Sequence, residues 1–83
     1  MNLHAYIERM VSLRPDAVAL EEADNARLTY GELDVLANRV RDRLIHEGVE
    51  AGDRVGVYLP KSIDTVVILV GILKAGAAYV PVD

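Results

Sequence analysis

The chain has 83 residues, of which 52% are hydrophobic and 27% are charged, and its formal net charge is -4. This length permits one small domain, and the lack of cysteine excludes disulfides and thiolate metal sites. The acidic balance argues against a nucleic-acid partner, which requires a basic surface. The most apolar run, residues 66–73, is shorter than the roughly 20 residues that span a bilayer. Since the N-terminus also lacks the pattern of a secretory signal, we expect a cytoplasmic protein without a membrane partner.

The first third of the chain predicts a helix and then a hairpin. Apolar residues recur at helical spacing from Leu3 to Leu13, and Pro15 ends the pattern because proline disfavours the helical conformation in the residue before it. Two short β-compatible runs follow, at residues 17–21 and 27–30, on either side of a polar turn at residues 22–25. These patterns predict a short amphipathic helix and a small β-hairpin.

The segment Thr29-Tyr30-Gly31-Glu32 has the pattern of a capping box and predicts the start of a longer helix. Gly48 can adopt the left-handed conformation that follows a last helical turn. The predicted apolar face consists of Leu33, Leu36, Ala37, Val40 and Leu44. The predicted solvent face consists of Asp34, Asn38, Arg41, Asp42 and Glu47. The arginines at positions 39, 41 and 43 point in different directions and alternate with acids, which predicts a solvated face rather than a basic patch.

The last third of the chain predicts a βαβ unit. Residues 54–59 are typical of a strand, and Ser62 can cap a following helix. Residues 63–75 are rich in β-branched side chains, but their length and the terminal Lys74 favour a helix. Residues 77–82 form a continuous apolar strand, so the two strands should be parallel and joined by a right-handed crossover. Parallel sheets are buried on both faces, and we expect this segment to lack the residues for that cover.

The sequence shows no catalytic, cofactor-binding or metal-ligating constellation. His4 and His46 fall on different helices with no carboxylate or thiol at ligand spacing, which predicts surface or capping roles. The glycines match no phosphate-binding motif. Ser62 has no histidine partner, and a helix-cap role already accounts for it. Lys61 and Asp64 are expected to be surface charges, so we assign no catalytic, cofactor or metal site to these residues.

Two blocks of sequence carry a family resemblance. The first is Leu28-Thr29-Tyr30-Gly31-Glu32-Leu33, which opens the stretch LTYGELDVLANRVRDRLIHEGVEAGDRVGVYLPKS, and the second is LKAGAAYVPVD at residues 73–83. In order and spacing they resemble the start of the adenylate-forming enzymes, the superfamily of acyl-CoA ligases, luciferases and amino-acid-activating domains of nonribosomal peptide synthetases. The second block is closer to the peptide-synthetase style, although some acyl-CoA ligases share it.

The resemblance implies an α/β fold, in which residues 1–83 are an incomplete N-terminal part of the large domain of such an enzyme. For the parent protein it implies that ATP adenylates a carboxylic or amino acid and that the acyl-AMP passes to a thiol of CoA or of a carrier protein. ATP and magnesium are the implied cofactors of that parent. The family's phosphate loop, ribose-binding acid and C-terminal lysine would all follow Asp83. We therefore expect the segment to be inactive alone, with the remainder of the adenylation domain as its partner.

Two alternatives remain open at this point. The same βαβ pattern serves many nucleotide-binding and flavodoxin-like proteins, so a generic α/β domain is one of them. The other is a small self-associating α/β module without catalysis, because its buried-type helix and unpaired strand would expose apolar surface in a monomer. That alternative predicts a homo-oligomer.

Overall fold

A computed structural model of the protein describes residues 2–82. Its elements, in chain order, are α1 (Leu3–Leu13), β1 (Val18–Glu21), β2 (Arg27–Thr29), α2 (Tyr30–His46), β3 (Arg54–Tyr58), α3 (Ile63–Lys74) and β4 (Ala78–Val82). The predicted helices and strands are confirmed, and the bounds given above are correct to within one residue. Asp83, the last residue of the second sequence block, lies outside the described residues.

Local hydrogen bonds explain where α1 and the hairpin begin and end. Asn2 caps α1, because its side-chain oxygen accepts from the Ala5 N–H at 2.9 Å. Strands β1 and β2 pair antiparallel, as predicted. Asn25 supplies the left-handed conformation in the turn between them, with a φ of 70°. The hairpin therefore follows from its turn chemistry.

The capping box at the start of α2 is confirmed in both of its hydrogen bonds. The Thr29 Oγ1 atom accepts from the Glu32 N–H at 3.1 Å, and the Glu32 Oε1 atom accepts from the Thr29 N–H at 2.9 Å. Because Thr29 is the cap, Tyr30 is the first helical residue and the preceding strand stops one residue earlier than predicted. Gly48 follows the helix with a φ of 100°, as the sequence predicts.

Strands β3 and β4 form a parallel pair whose register runs from Arg54 opposite Ala78 to Tyr58 opposite Val82. The turn after α3 contains Gly76 at a φ of 78°, which glycine adopts without strain. The Gly76 carbonyl accepts from the Gly52 N–H at 2.9 Å, so the turns that precede β3 and β4 are hydrogen-bonded to each other. The predicted βαβ unit with parallel strands is confirmed, and the hand of its crossover stays a prediction.

Helix α3 lies between two apolar clusters. Its residues Val67 and Val70 pack with α1, α2 and the hairpin, in a cluster of buried side chains made of Ile7, Leu28, Leu33, Ala37, Val67 and Val70. On another side, Ile72 packs with Val57 of β3 and with Ala77. Of the large α3 side chains, Ile68 stays 39% exposed. These contacts are consistent with the prediction that α3 must be packed against other parts of the protein on nearly every side.

The prediction that Asp34 belongs to the solvent face of α2 is wrong. Its Oδ1 atom lies 2.6 Å from the Nζ atom of Lys74, whose side chain is only 5% exposed. Lys74 terminates α3, as predicted, but its ammonium group points towards α2 and α1 rather than into solvent. Glu8 of α1 contributes a second carboxylate oxygen at 3.7 Å. Helical periodicity cannot reveal this pair because the two residues are 40 positions apart.

Candidate functional site

The hydroxyl group of Ser62 caps α3, as predicted. Its Oγ atom accepts from the Thr65 N–H at 3.1 Å and lies 3.0 Å from the Thr65 hydroxyl oxygen. Thr65 is buried and donates in turn to the Pro60 carbonyl at 2.7 Å. Lys61 and Asp64 are exposed on either side. These contacts give the serine a structural role at the start of the helix.

A carboxylate that the sequence analysis did not single out completes this helix start. The Glu22 Oε1 atom, in the hairpin turn, accepts from the Ile63 N–H at 2.6 Å. Negative charge is favourable at a helix N-terminus, where backbone N–H groups lack intrahelical acceptors. An open groove of about 560 Å³ lies between the hairpin and this helix start. At this groove the chain's own Glu22 carboxylate therefore occupies the N-terminus of α3.

The two histidines remain apart. His46 lies exposed in the last turn of α2, where a basic group complements the helix dipole. His4 lies half-buried in the first turn of α1, and its Nδ1 atom has no hydrogen-bond partner among the described residues. The described part of the chain contains no cluster of three histidine, cysteine, aspartate or glutamate residues able to hold a metal ion. The described residues therefore do not provide the set of oxygen ligands that a magnesium ion takes.

The most prominent functional candidate is one face of the β3–β4 sheet. Side chains alternate between the faces of a strand, and paired residues of parallel strands share a face. One face, which we call the open face, consists of Arg54, Gly56, Tyr58, Ala78, Val80 and Val82. Every one of these residues is exposed, and Tyr58 reaches 72% exposure. The open face is mostly apolar, and an exposed apolar patch is typical of a surface that contacts another protein, a membrane or a ligand.

The opposite face of the same sheet is covered along β3, whereas Tyr79 and Pro81 of β4 on that face stay exposed. Val57 is buried against Ile72 and Ala77, and the partly buried Val55 and Leu69 pack around them. Among residues 2–82, β3 and β4 pair only with each other, so each strand also leaves one edge without a partner strand. A parallel sheet is normally buried on both faces and continued at its edges. One face and two edges of this sheet therefore lack that cover.

Comparison with known proteins identifies the family. A profile described as AMP-binding enzyme matches residues 7–83. The chain belongs to the AMP-binding enzyme family. The match confirms the resemblance to the adenylate-forming enzymes carried by the two sequence blocks, and it covers α1 from Ile7 onwards and every later element to β4.

Relatives of this AMP-binding chain are much longer proteins. Syringomycin synthase SyrB1 from Pseudomonas syringae pv. syringae is 46% identical over 81 residues, which are 98% of this chain and 13% of that protein. Across eight similar synthetases and related proteins, the chain spans 1% to 13% of the relative's length. The matched segment is therefore one small part of each relative.

Solved structures agree on the fold of this AMP-binding segment. The anthranilate CoA ligase AuaEII, in complex with anthranoyl-AMP, matches with a TM-score of 0.90 and 30% identity, over 100% of this chain and 16% of that one. A fatty acyl CoA synthetase from Mycobacterium tuberculosis matches with a TM-score of 0.86 and 31% identity, over 99% and 16% respectively. The α/β fold is thus that of the N-terminal part of an adenylate-forming enzyme. In the part of the chain that the structure describes, no helix has the length and hydropathy to cross a membrane.

Proposed function

We propose that residues 1–83 act as the N-terminal building block of an ATP-dependent ligase that activates a carboxylic or amino acid as its acyl-AMP. The acyl group then passes to a thiol of CoA or of a carrier protein. The observation that carries the proposal is the family match over residues 7–83 together with an open sheet face that the chain does not cover itself. ATP and magnesium bind to the rest of the ligase, and the cytoplasm is its proposed location.

In this proposal the segment contributes structure rather than reacting groups. Its helices hold the first parallel strand pair of the large domain, and the remainder of the adenylation domain is the partner that covers the open face. The capped starts of α2 and α3 and the hydrogen bond between Gly52 and Gly76 support a segment that is already folded before the rest of the domain packs on it. The 83 residues alone therefore have no adenylation activity.

Exchange of pyrophosphate into ATP tests this proposal. The isolated chain should give background exchange with any panel of carboxylic and amino acids, because it holds no set of reacting groups. A chimera in which residues 1–83 replace the matching segment of syringomycin synthase SyrB1 should fold and retain substrate-dependent exchange. The matched control is the same synthase with that segment deleted, which should fail to fold or to exchange. Exchange by the isolated chain, or a chimera that does not fold, would contradict the proposal.

The alternative function is a self-associating α/β module without catalysis, and the same open face favours it. A second copy of the chain would then bury Tyr58, Val80 and Val82, which are the large exposed apolar residues of that face. The chimera distinguishes the two functions, because a self-sufficient module is not expected to restore pyrophosphate exchange to a synthase that lacks the matching segment. Both can hold for the isolated chain, since a ligase segment without its cover can pair with itself.

A further inference from the structure

Gly56 lies at the centre of the open face. It is the middle residue of β3, pairs with Val80 of β4, and is exposed. A glycine inside a strand lowers stability, because it costs more conformational entropy and offers no side chain for packing. A β-branched residue in its place would favour the strand. The presence of glycine here therefore calls for a physical reason.

The other five glycines have such a reason within the described chain. Three have positive φ angles, namely Gly48, Gly52 and Gly76. A Cβ atom at Gly71 would lie 2.5 Å from Val40 Cγ1, which is too close for any side chain. A Cβ atom at Gly31 would lie 3.3 Å from the Pro15 carbonyl oxygen, a tight contact with backbone.

Gly56 has neither constraint. Its φ is not positive, and a Cβ atom built on it would meet only Val82, at 3.8 and 3.9 Å from the two methyl carbons. Those distances are ordinary van der Waals contacts, so the chain itself would accept a side chain at this position. An interior strand glycine often marks a bulge or a place where another backbone or a ligand approaches closely, and the register of β3 and β4 has no shift at Gly56.

We propose that Gly56 is the point of closest approach of an apolar helix from the part of the AMP-binding domain that follows these residues in the longer relatives. The inference rests on the proposed function and specifies how the open face is covered. Parallel sheets carry helices on both faces, and α3 already occupies the other face. Tyr58 and Val80 lie next to Gly56 on the open face and are apolar, and Arg54 is the charged residue of that face. The relatives have chain to supply the helix, since this segment is only 13% of SyrB1.

The substitution Gly56→Val tests this inference, because it should have opposite effects in two settings. In the isolated 83-residue chain, diluted until it is monomeric, the melting temperature should stay unchanged or rise, since the new side chain fits beside Val82 and favours the strand. In the SyrB1 chimera, the valine occupies the space of the covering helix. Amide hydrogen exchange of residues 54–58 and 78–82 should then become about tenfold faster or more, as expected when overpacking displaces a packed element.

Two further variants keep this test interpretable. Gly56→Ala should likewise leave the melting temperature of the isolated chain unchanged or higher, and should accelerate amide exchange in the chimera by a smaller factor. This variant gives the measurement if the valine chimera does not fold. Gly48→Ala is the matched control, because its positive φ should lower stability in both settings. Equal effects of Gly56→Val and Gly56→Ala in the isolated chain and the chimera would overturn the inference. A wild-type chimera that does not fold would instead contradict the proposed function, so the two failures are distinguishable.

Discussion

Several polar side chains of types that also serve in active sites are used at helix ends in this protein. Thr29 and Ser62 each accept a hydrogen bond from a backbone N–H in the first turn of a helix. Glu32 and Glu22 supply carboxylates at the same two helix starts. Because these groups satisfy N–H donors that a helix cannot pair internally, they stabilise the two helix starts.

The capping box of α2 should make the stability of the fold depend on pH. Hydrogen bonds from the backbone and side chain of Thr29 hold the pKa of Glu32 below its ordinary value of 4.5. A lowered native pKa stabilises the fold fully above the unfolded value of 4.5, and this stabilisation is lost as the pH falls through the native pKa. Wild type should therefore be more stable than Glu32→Gln near neutral pH, and the difference should shrink on acidification.

Urea unfolding of both proteins at pH 7 and at about pH 3 measures this difference. The control is Glu50→Gln, which alters an exposed carboxylate outside the box and should change the free energy of unfolding by less than about 0.5 kcal/mol. A difference between wild type and Glu32→Gln that is the same at both pH values would contradict the prediction.

At the scale of elements, the contact between α2 and α3 has a defined register. Gly71 of α3 lies against Ala37 and Val40 of α2. Lys74 lies one turn further along α3, and its partner Asp34 lies one turn before Ala37 in α2. The two helices therefore run antiparallel. A slip by one turn would remove the carboxylate from a nearly buried ammonium group, and an unpaired buried charge is strongly unfavourable.

We predict unequal effects when the two partners of this pair are removed one at a time. Asp34→Asn leaves the charge of Lys74 buried and should cost about 3 kcal/mol, at the lower end of the usual range because Glu8 remains 3.7 Å away. Lys74→Met removes the buried charge and leaves Asp34, which is 23% exposed and can be hydrated, so it should cost less. The double variant should resemble Lys74→Met.

Chemical denaturation of the three variants in a double-mutant cycle measures these costs. Arg43→Ala is the control, because it removes an ion pair of the same helix whose side chains are 76% and 57% exposed. That change should be worth less than about 0.5 kcal/mol. Equal losses of unfolding free energy for Asp34→Asn and Arg43→Ala would contradict the prediction, because the buried pair would then contribute no more than an exposed one.

At the scale of the whole molecule, the described chain has a packed interior and one sheet that is covered on a single face. Its two apolar clusters meet along α3, which fixes the sheet to the helices. The open face and the free strand edges remain available for contact. When the chain is studied alone, we expect a second copy to bind there.

The substitution Val82→Lys tests this expectation. A lysine on the open face next to an unpaired strand edge should oppose pairing between copies and shift the chain towards monomer. Val35→Lys is a matched control, since Val35 and Val82 are each 51% exposed but Val35 lies on α2, away from the sheet. Light scattering over a range of concentrations measures the association. Equal association of both variants, or a wild-type chain that stays monomeric at every concentration, would contradict it.

Most elements of this fold could be predicted from the sequence because their signals are local. The capping box at Thr29, the serine cap at position 62 and Gly48 after α2 act within four residues of the helix ends that they define. The pairing of Lys74 with Asp34 and the cap that Glu22 provides for α3 join residues about 40 positions apart. Such contacts have no periodicity in the sequence, so the expectation of a solvent-exposed Asp34 failed.

The sequence by itself determined the α/β class, the order of helices and strands and the family, because side-chain period, turn residues and the two sequence blocks are properties of neighbouring residues. Only the tertiary structure decided which face of the sheet α3 covers, which face stays open, and why Gly56 differs from the other glycines. Those features depend on distances between elements that are far apart in the chain. Packing sets these distances, and no local pattern records them.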